Sequence, residues 1–342
     1  MPIVTKLTDI LVTSLVNYKI SSLYKSMKTF SLNKKMERLF ENEPELFIER
    51  AIKDFVRSNP ANCLDCLGNE PIFEKPLVGF ADGDDPLFHE YKKVVHEDHY
   101  MPREVLELHL SEKQKLQSYN LENVSVISFV FPINRKTIKT NAEEKEGPSL
   151  CWNHMRWRGQ DFINELSKYF ISILETMGYC AVAPDLENFF KIFIMPDGFS
   201  SNWSQRHAAY AAGLGTFSLN DGFITAKGLA MRCGSVVTNL KLKSSVRPYT
   251  NYLENCLFYA TGKCGKCVRR CPGGALSEKG HDKIKCFETL FEKQKPWIEG
   301  AHGPGFIGNY AGCGLCQTGV PCAEQIPIKK LRKKSICITK QI

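Results

Sequence analysis

The sequence predicts a mixed helix and sheet protein of the α+β class, with an α/β core followed by a C-terminal cysteine-rich module that holds two metal clusters. Three observations predict it. Strand-like and helix-like apolar patterns alternate between residues 70 and 245, residues 256–322 carry eight grouped cysteines, and 342 residues are enough for two domains. The expected divisions are a helical segment over 1–69, the core over 70–245, the cysteine module over 246–328 and a basic tail over 329–342.

Residues 1–60 read as helical, because Met36, Leu39, Phe40, Leu46, Phe47, Ile48 and Ile52 recur at helical spacing in a Lys/Glu-rich segment. Cys63-x2-Cys66 follows with no second pair nearby, so it reads as two reduced thiols rather than half a zinc site. The acid- and histidine-rich stretch 76–103 starts a helix at Asp85-Pro86, whose apolar stripe of Leu87, Tyr91, Val94 and Val95 turns the charges outward. Residues 124–131 form a buried strand ended by Pro132, and the polar run 135–148 reads as a surface loop. An amphipathic helix is expected over 159–177, with strands over 179–183, 223–226 and 233–239.

Composition excludes several classes. No apolar run approaches the roughly 18 residues of a membrane-spanning helix. Asp9 interrupts the apolar N-terminus, which has neither a small-residue cleavage site nor a twin-arginine pair, so a cytoplasmic protein is expected. Fourteen cysteines in such a chain favour metal ligation over disulfides. The net charge of +8, partly in Lys329, Lys330, Arg332, Lys333 and Lys334, admits an RNA partner. Gly213-Leu214-Gly215 is not a dinucleotide fingerprint, because Ser218 stands where the third glycine belongs and helix-like residues precede the turn.

The cysteines carry the chemistry. Cys264-x2-Cys267-x3-Cys271-Pro272 matches the end of a bacterial ferredoxin run, whose last cysteine ligates the other cluster of a pair. That crossover puts Cys256, Cys264, Cys267 and Cys322 on one 4Fe-4S cluster and Cys271, Cys286, Cys313 and Cys316 on the other. Soft thiolates suit such clusters, and paired clusters transfer single electrons. Zinc on the same thiols is the alternative. The preceding residues argue for an enzyme fed by the clusters, and an electron-transfer protein without its own substrate remains open.

Two motifs in order carry a family resemblance over about residues 70–328. The first is 208–225, with Ala212-Gly213-Leu214-Gly215 at its turn, followed by 233–239. The second is the cysteine pair, with Cys286 ahead of Cys313-Gly314-Leu315-Cys316. Together they resemble the iron-sulfur reductases that include epoxyqueuosine reductase and the corrinoid-dependent reductive dehalogenases. The resemblance implies a nitroreductase-like core that binds base-off cobalamin, with Gly213, Leu214, Gly215, Thr216, Phe217 and Ser218 against the corrin ring, and a ferredoxin-like module of two clusters that reduces the cobalt. It implies a low-potential electron donor such as ferredoxin or flavodoxin and, for the epoxyqueuosine type, tRNA as partner. Asp197, Tyr210 and His207 are the candidate proton donors, since a carboxylic acid, a phenol and an imidazolium each deliver a proton.

Overall fold

The structure, a computed structural model, describes residues 34–328. The expectations for residues 1–33 and for the basic tail fall outside the described residues. The centre is a four-stranded sheet in the order β1 (Leu77–Asp82), β2 (Ser125–Pro132), β4 (Met231–Thr238), β3 (Ala181–Val182). Helices and strands alternate as expected, yet every pairing in this sheet is antiparallel, with Phe80 opposite Ile127 and Ile127 opposite Val236. All eight residues of β2 are buried, which is why its sequence is apolar without alternation.

Two apolar layers cover the sheet. On one face Ile127, Phe129 and Phe131 pack with Phe162, Ile163 and Leu166 of a 27-residue helix, Leu150–Thr176. On the other, Val126, Val182 and Val237 pack with Phe88, Val105, Ala208 and Ala211. The N-terminal helices Lys34–Asn42 and Pro44–Ser58 join the first layer through Phe40, Phe47, Ile48 and Ile52. Each fully buried apolar side chain of this size contributes about 2–3 kcal/mol.

Three expectations are corrected. The long helix begins nine residues before Gly159, where Ser149 Oγ accepts from the Trp152 amide at 3.2 Å. Gly159 lies inside it because a Cβ there would meet the Phe73 ring at 2.8 Å. The polar run 135–148 is not all loop: Asn134 caps a helix, Arg135–Glu143, that buries Thr137, Ile138 and Asn141. The strand expected over 223–226 is Phe223–Thr225, which pairs with Gly215–Phe217 in a separate ribbon outside the central sheet.

Beyond residue 245 the chain forms short helices and tight turns. Among the described residues no helix is long and apolar enough to cross a membrane.

Candidate metal centres and an adjoining polar recess

The two C-x2-C loops are built alike. Gly265 (φ 59°) and Gly314 (φ 61°) each follow the first cysteine in the left-handed region, and each opens a short helical turn that carries the second cysteine. Downstream of the first loop, the Ala275 amide donates to Cys271 Sγ at 3.2 Å. Cys322 is fixed to the core because its carbonyl accepts from the Leu229 amide at 2.8 Å.

Electrostatics sort the eight thiols into two sets of four. Burial pushes Cys267 up to about 11, with Cys256 and then Cys264 adding to the shift. Burial likewise pushes Cys322 up to about 12, and the added repulsion comes from Cys256, Cys267 and Cys264. In the second set burial takes Cys286 to about 12, reinforced by Cys313 and Cys271. Cys316 is raised well above the ordinary thiol value by burial, then by Cys313 and Cys286, with Cys271 adding less. The like-charged thiol neighbours of these four cysteines all come from their own set. Crowded, half-desolvated thiols release their protons when iron binds, so ligation and deprotonation are coupled.

Among the described residues no three His, Cys, Asp or Glu side chains close in tightly enough to hold one metal ion. Four thiolates on four separate irons stand further apart than four on a single ion with sulfur at about 2.3 Å. The donor set fits a cubane in number and softness. A cavity lined by Cys256, Cys264, Cys267 and Cys322 lies within the first set.

The turn at residues 213–218 is closed by the chain itself. A Cβ on Gly213 (φ 73°) would meet the Val246 carbonyl at 2.5 Å, and one on Gly215 the Ile224 carbonyl at 2.4 Å. Leu214 packs against Gly79, Thr216 Oγ1 accepts from the Asn255 amide at 3.0 Å, and the Phe217 amide donates to the Tyr252 carbonyl at 2.7 Å. Ser218 Oγ donates to the Gly222 carbonyl at 2.9 Å. The two glycines are thus required by close approach of the protein's own backbone, while Gly213, Leu214 and Phe217 stay part-exposed.

The three candidate proton donors are not brought together in one site. Asp197 is exposed on the hairpin between strands Ile192–Met195 and Gly198–Ser201. His207 lies on the helix Gln205–Ala211, and burial, aided by Arg206, lowers it to about 3. Its Nδ1 is 2.7 Å from Ser204 Oγ, and its ring packs on Tyr91 and Phe217. Tyr210 is raised by burial despite the Arg247 guanidinium 6.0 Å from its ring centroid. At neutral pH His207 is therefore an uncharged packing group. Cys63 and Cys66 lie apart from the thiol sets; Cys151 Sγ donates to the Cys66 carbonyl at 3.5 Å.

Polar side chains that no sequence motif marked flank the start of strand Met231–Thr238, Arg232 toward the long helix and Ser235 toward the helix Gln205–Ala211. Arg232 donates to the Gln160 side chain, and its Nε has no acceptor. Burial and the charge of Arg156 lower Arg232 to about 9. Arg156 in turn donates to the Tyr310 hydroxyl. Burial raises the Asp185 carboxyl, opposed by its own backbone amide, Gln205 and Arg232. Burial also takes the Cys233 thiol to about 11. Gln205 Oε1 accepts from Ser235 Oγ at 2.6 Å, and its Nε2 closes no hydrogen bond of good geometry. Tyr310, Phe291 and Phe287 stack in sequence at 4.8 and 4.2 Å, and Phe287 adjoins Cys286 in the chain. The signal in the sequence was a single arginine at the head of the apolar run of strand Met231–Thr238.

No protein-family model matches the sequence, and no curated protein matches it. Among solved structures the chain is similar to epoxyqueuosine reductase from Bacillus subtilis, with 17% identity and a TM-score of 0.39 over 72% of this chain and 61% of that one. It is also similar to an epoxyqueuosine reductase bound to an epoxyqueuosine-modified tRNA stem loop (16% identity, TM-score 0.41, 81% and 65% covered). A third likeness is to a reductive dehalogenase described in connection with B12-dependent dehalogenation (18% identity, TM-score 0.40, 63% and 28% covered). The chain thus spans less than two thirds of the epoxyqueuosine reductases it resembles.

Proposed function

We propose that this chain is an iron-sulfur oxidoreductase. Cys256, Cys264, Cys267 and Cys322 would hold one 4Fe-4S cluster and Cys271, Cys286, Cys313 and Cys316 a second, in a ferredoxin-like module packed on the antiparallel core. The observation that carries the reading is the sorting of eight thiols into two sets of four, each gathered from two separate stretches of chain. Bound there, the pair would supply one-electron transfer.

The chain's own residues do the rest. The Ala275 amide donates to Cys271 Sγ, which lowers the charge density on that sulfur. Exposed Lys263, Lys266 and Arg269 surround the first set and suit an acidic electron donor of the ferredoxin or flavodoxin kind. Near the start of strand Met231–Thr238, Asp185, whose carboxyl burial raises, is a group suited to hold a proton for the acceptor. A corrinoid, if bound, would meet the part-exposed Gly213, Leu214 and Phe217 of the turn at 213–218, and no step is routed through one.

Anaerobic reconstitution tests the reading. About eight irons and eight sulfides per chain are expected; about four or fewer after complete reconstitution would sink it.

A further inference from the structure

Two asparagines sit where helices ordinarily place apolar side chains. Asn153, near the start of the helix Leu150–Thr176, and Asn141, near the end of Arg135–Glu143, are both fully enclosed, at 0% exposure. A side-chain amide inside a helix and out of water is unfavourable unless its donors and acceptor are used. Those of Asn153 all go to one loop: Nδ2 donates to the carbonyls of Ile307 and Ala311, each at 3.0 Å, and Oδ1 accepts from the Ile307 amide at 2.8 Å. The pattern fixes the amide's orientation, because reversing it would set donor against the Ile307 N–H and acceptor against two carbonyls. One turn on, Trp157 Nε1 donates to the Tyr310 carbonyl at 3.2 Å. Asn141 takes up the same stretch of chain further along. Its Nδ2 donates to the Cys313 carbonyl at 3.3 Å and to Thr318 Oγ1 at 3.0 Å, and its Oδ1 accepts from the Ser149 amide at 2.9 Å.

We infer that Asn153, together with Asn141, is a positioning residue that preforms the Cys313–Cys316 half of the second thiol set before metal binds. Ala311 lies two residues ahead of Cys313 and Thr318 two residues beyond Cys316, so both thiols fall between backbone points that the two amides hold. In the first set, by contrast, the Cys264 carbonyl accepts from the exposed Arg269 of its own loop, at 3.0 Å. A half-site that is already ordered spends less of the binding free energy on ordering when its ligand arrives. As a statement about a cluster the inference rests on the reductase reading. As a statement about two thiols it needs no metal.

The test is alkylation of the full metal-free chain, read cysteine by cysteine through peptide mass spectrometry, in the unaltered protein and in Asn153→Leu. Losing the amide leaves the Ile307 and Ala311 groups without their partners and raises the population in which the loop is open, which the alkylation rate follows. Cys313 and Cys316 are expected to react at least ~10-fold faster, while Cys264 and Cys267 keep their rates. Should Asn153→Leu not fold, Asn153→Ser, which removes the same contacts without adding bulk, is expected to show the same pattern. Unchanged rates at Cys313 and Cys316, or an equal rise at all four thiols, would overturn the inference. On the reconstituted protein, iron loss to a chelator supplies a second readout: in the variant about half of the iron should leave at least ~10-fold faster than from the unaltered chain. Loss of all the iron at the unaltered rate would overturn the inference as well. About four irons or fewer in the unaltered chain would count against the reductase reading alone, because the alkylation rates need no cluster.

Discussion

The two thiol sets start from the same local device, a cysteine followed by a left-handed glycine and a short helical turn, and they end in different surroundings. Cys264 and Cys267 sit among exposed Lys263, Lys266 and Arg269, and a Cβ on Gly265 would find only the Arg269 guanidinium, at 3.5 Å. Around the second set, the Asn220 amide donates to the Cys316 carbonyl at 2.8 Å and the Asn141 amide to the Cys313 carbonyl at 3.3 Å. The Trp152 ring covers Gly314 so closely that a Cβ there would lie 2.1 Å from it. Equal loops thus sit in unequal settings, and the proposed reading gives them two roles: the Cys264–Cys267 loop for contact with a partner and the Cys313–Cys316 loop tied to the core.

The largest break in this comparison comes from removing one ligand of each set. Cys316→Ser should lower iron to about four per chain and also lower the unfolding temperature, because its loop is tied to the core. Cys264→Ser should lose the same amount of iron with a smaller stability loss. Iron analysis with thermal unfolding checks both, and equal stability losses would erase the distinction. Next in size, Gly314→Ala is expected to cost about 3 kcal/mol or more, since left-handed strain adds to displacement of the buried Trp152 ring. Gly265→Ala should cost about 1 kcal/mol, from backbone strain alone. Denaturant unfolding of the two variants measures that difference.

The two sets differ too in how far the sequence disclosed them. Thiol spacing alone yielded the crossover sets, because ligand count and the Cys271-Pro272 ending are local signals. Strand Ser125–Pro132 was legible for the same reason, a continuous apolar run. The polar contacts of strand Met231–Thr238 were not legible, because Gln160 and Gln205 reach it from separate helices. Composition misled at 135–148, where three buried positions among charged neighbours give a helix little apolar signal. At Gly213 and Gly215 packing adds a reason for small size that the sequence did not show, close approach of the chain's own backbone.

A third contrast sets the core against the cysteine module. Burial lowers His99 to about 4 and His207 to about 3, so both are neutral in the folded core. The unfolded chain binds these protons near pH 6.5 and the folded one does not. Stability is therefore full above about pH 6.5 and falls as pH drops toward 4, by on the order of 2–3 kcal/mol per histidine. Replacing His207 with Gln should flatten the fall in a pH series of denaturant midpoints. A slope unchanged in His207→Gln would show that the acid sensitivity lies elsewhere.

The smallest expected effect tests the exposed role of the first set most directly. Reversing charge in a Lys263→Glu, Lys266→Glu double variant leaves every proposed ligand in place, so iron content and unfolding temperature should stay as they are. Steering of an acidic donor acts on the encounter rate and is screened by salt. Stopped-flow reduction by a flavodoxin should therefore slow several-fold at low ionic strength, and the difference should vanish near 0.5 M salt. Both sets carry the same thiol chemistry, so a rate that ignores this substitution would mean electrons enter elsewhere and would remove the reason for assigning the sets different roles.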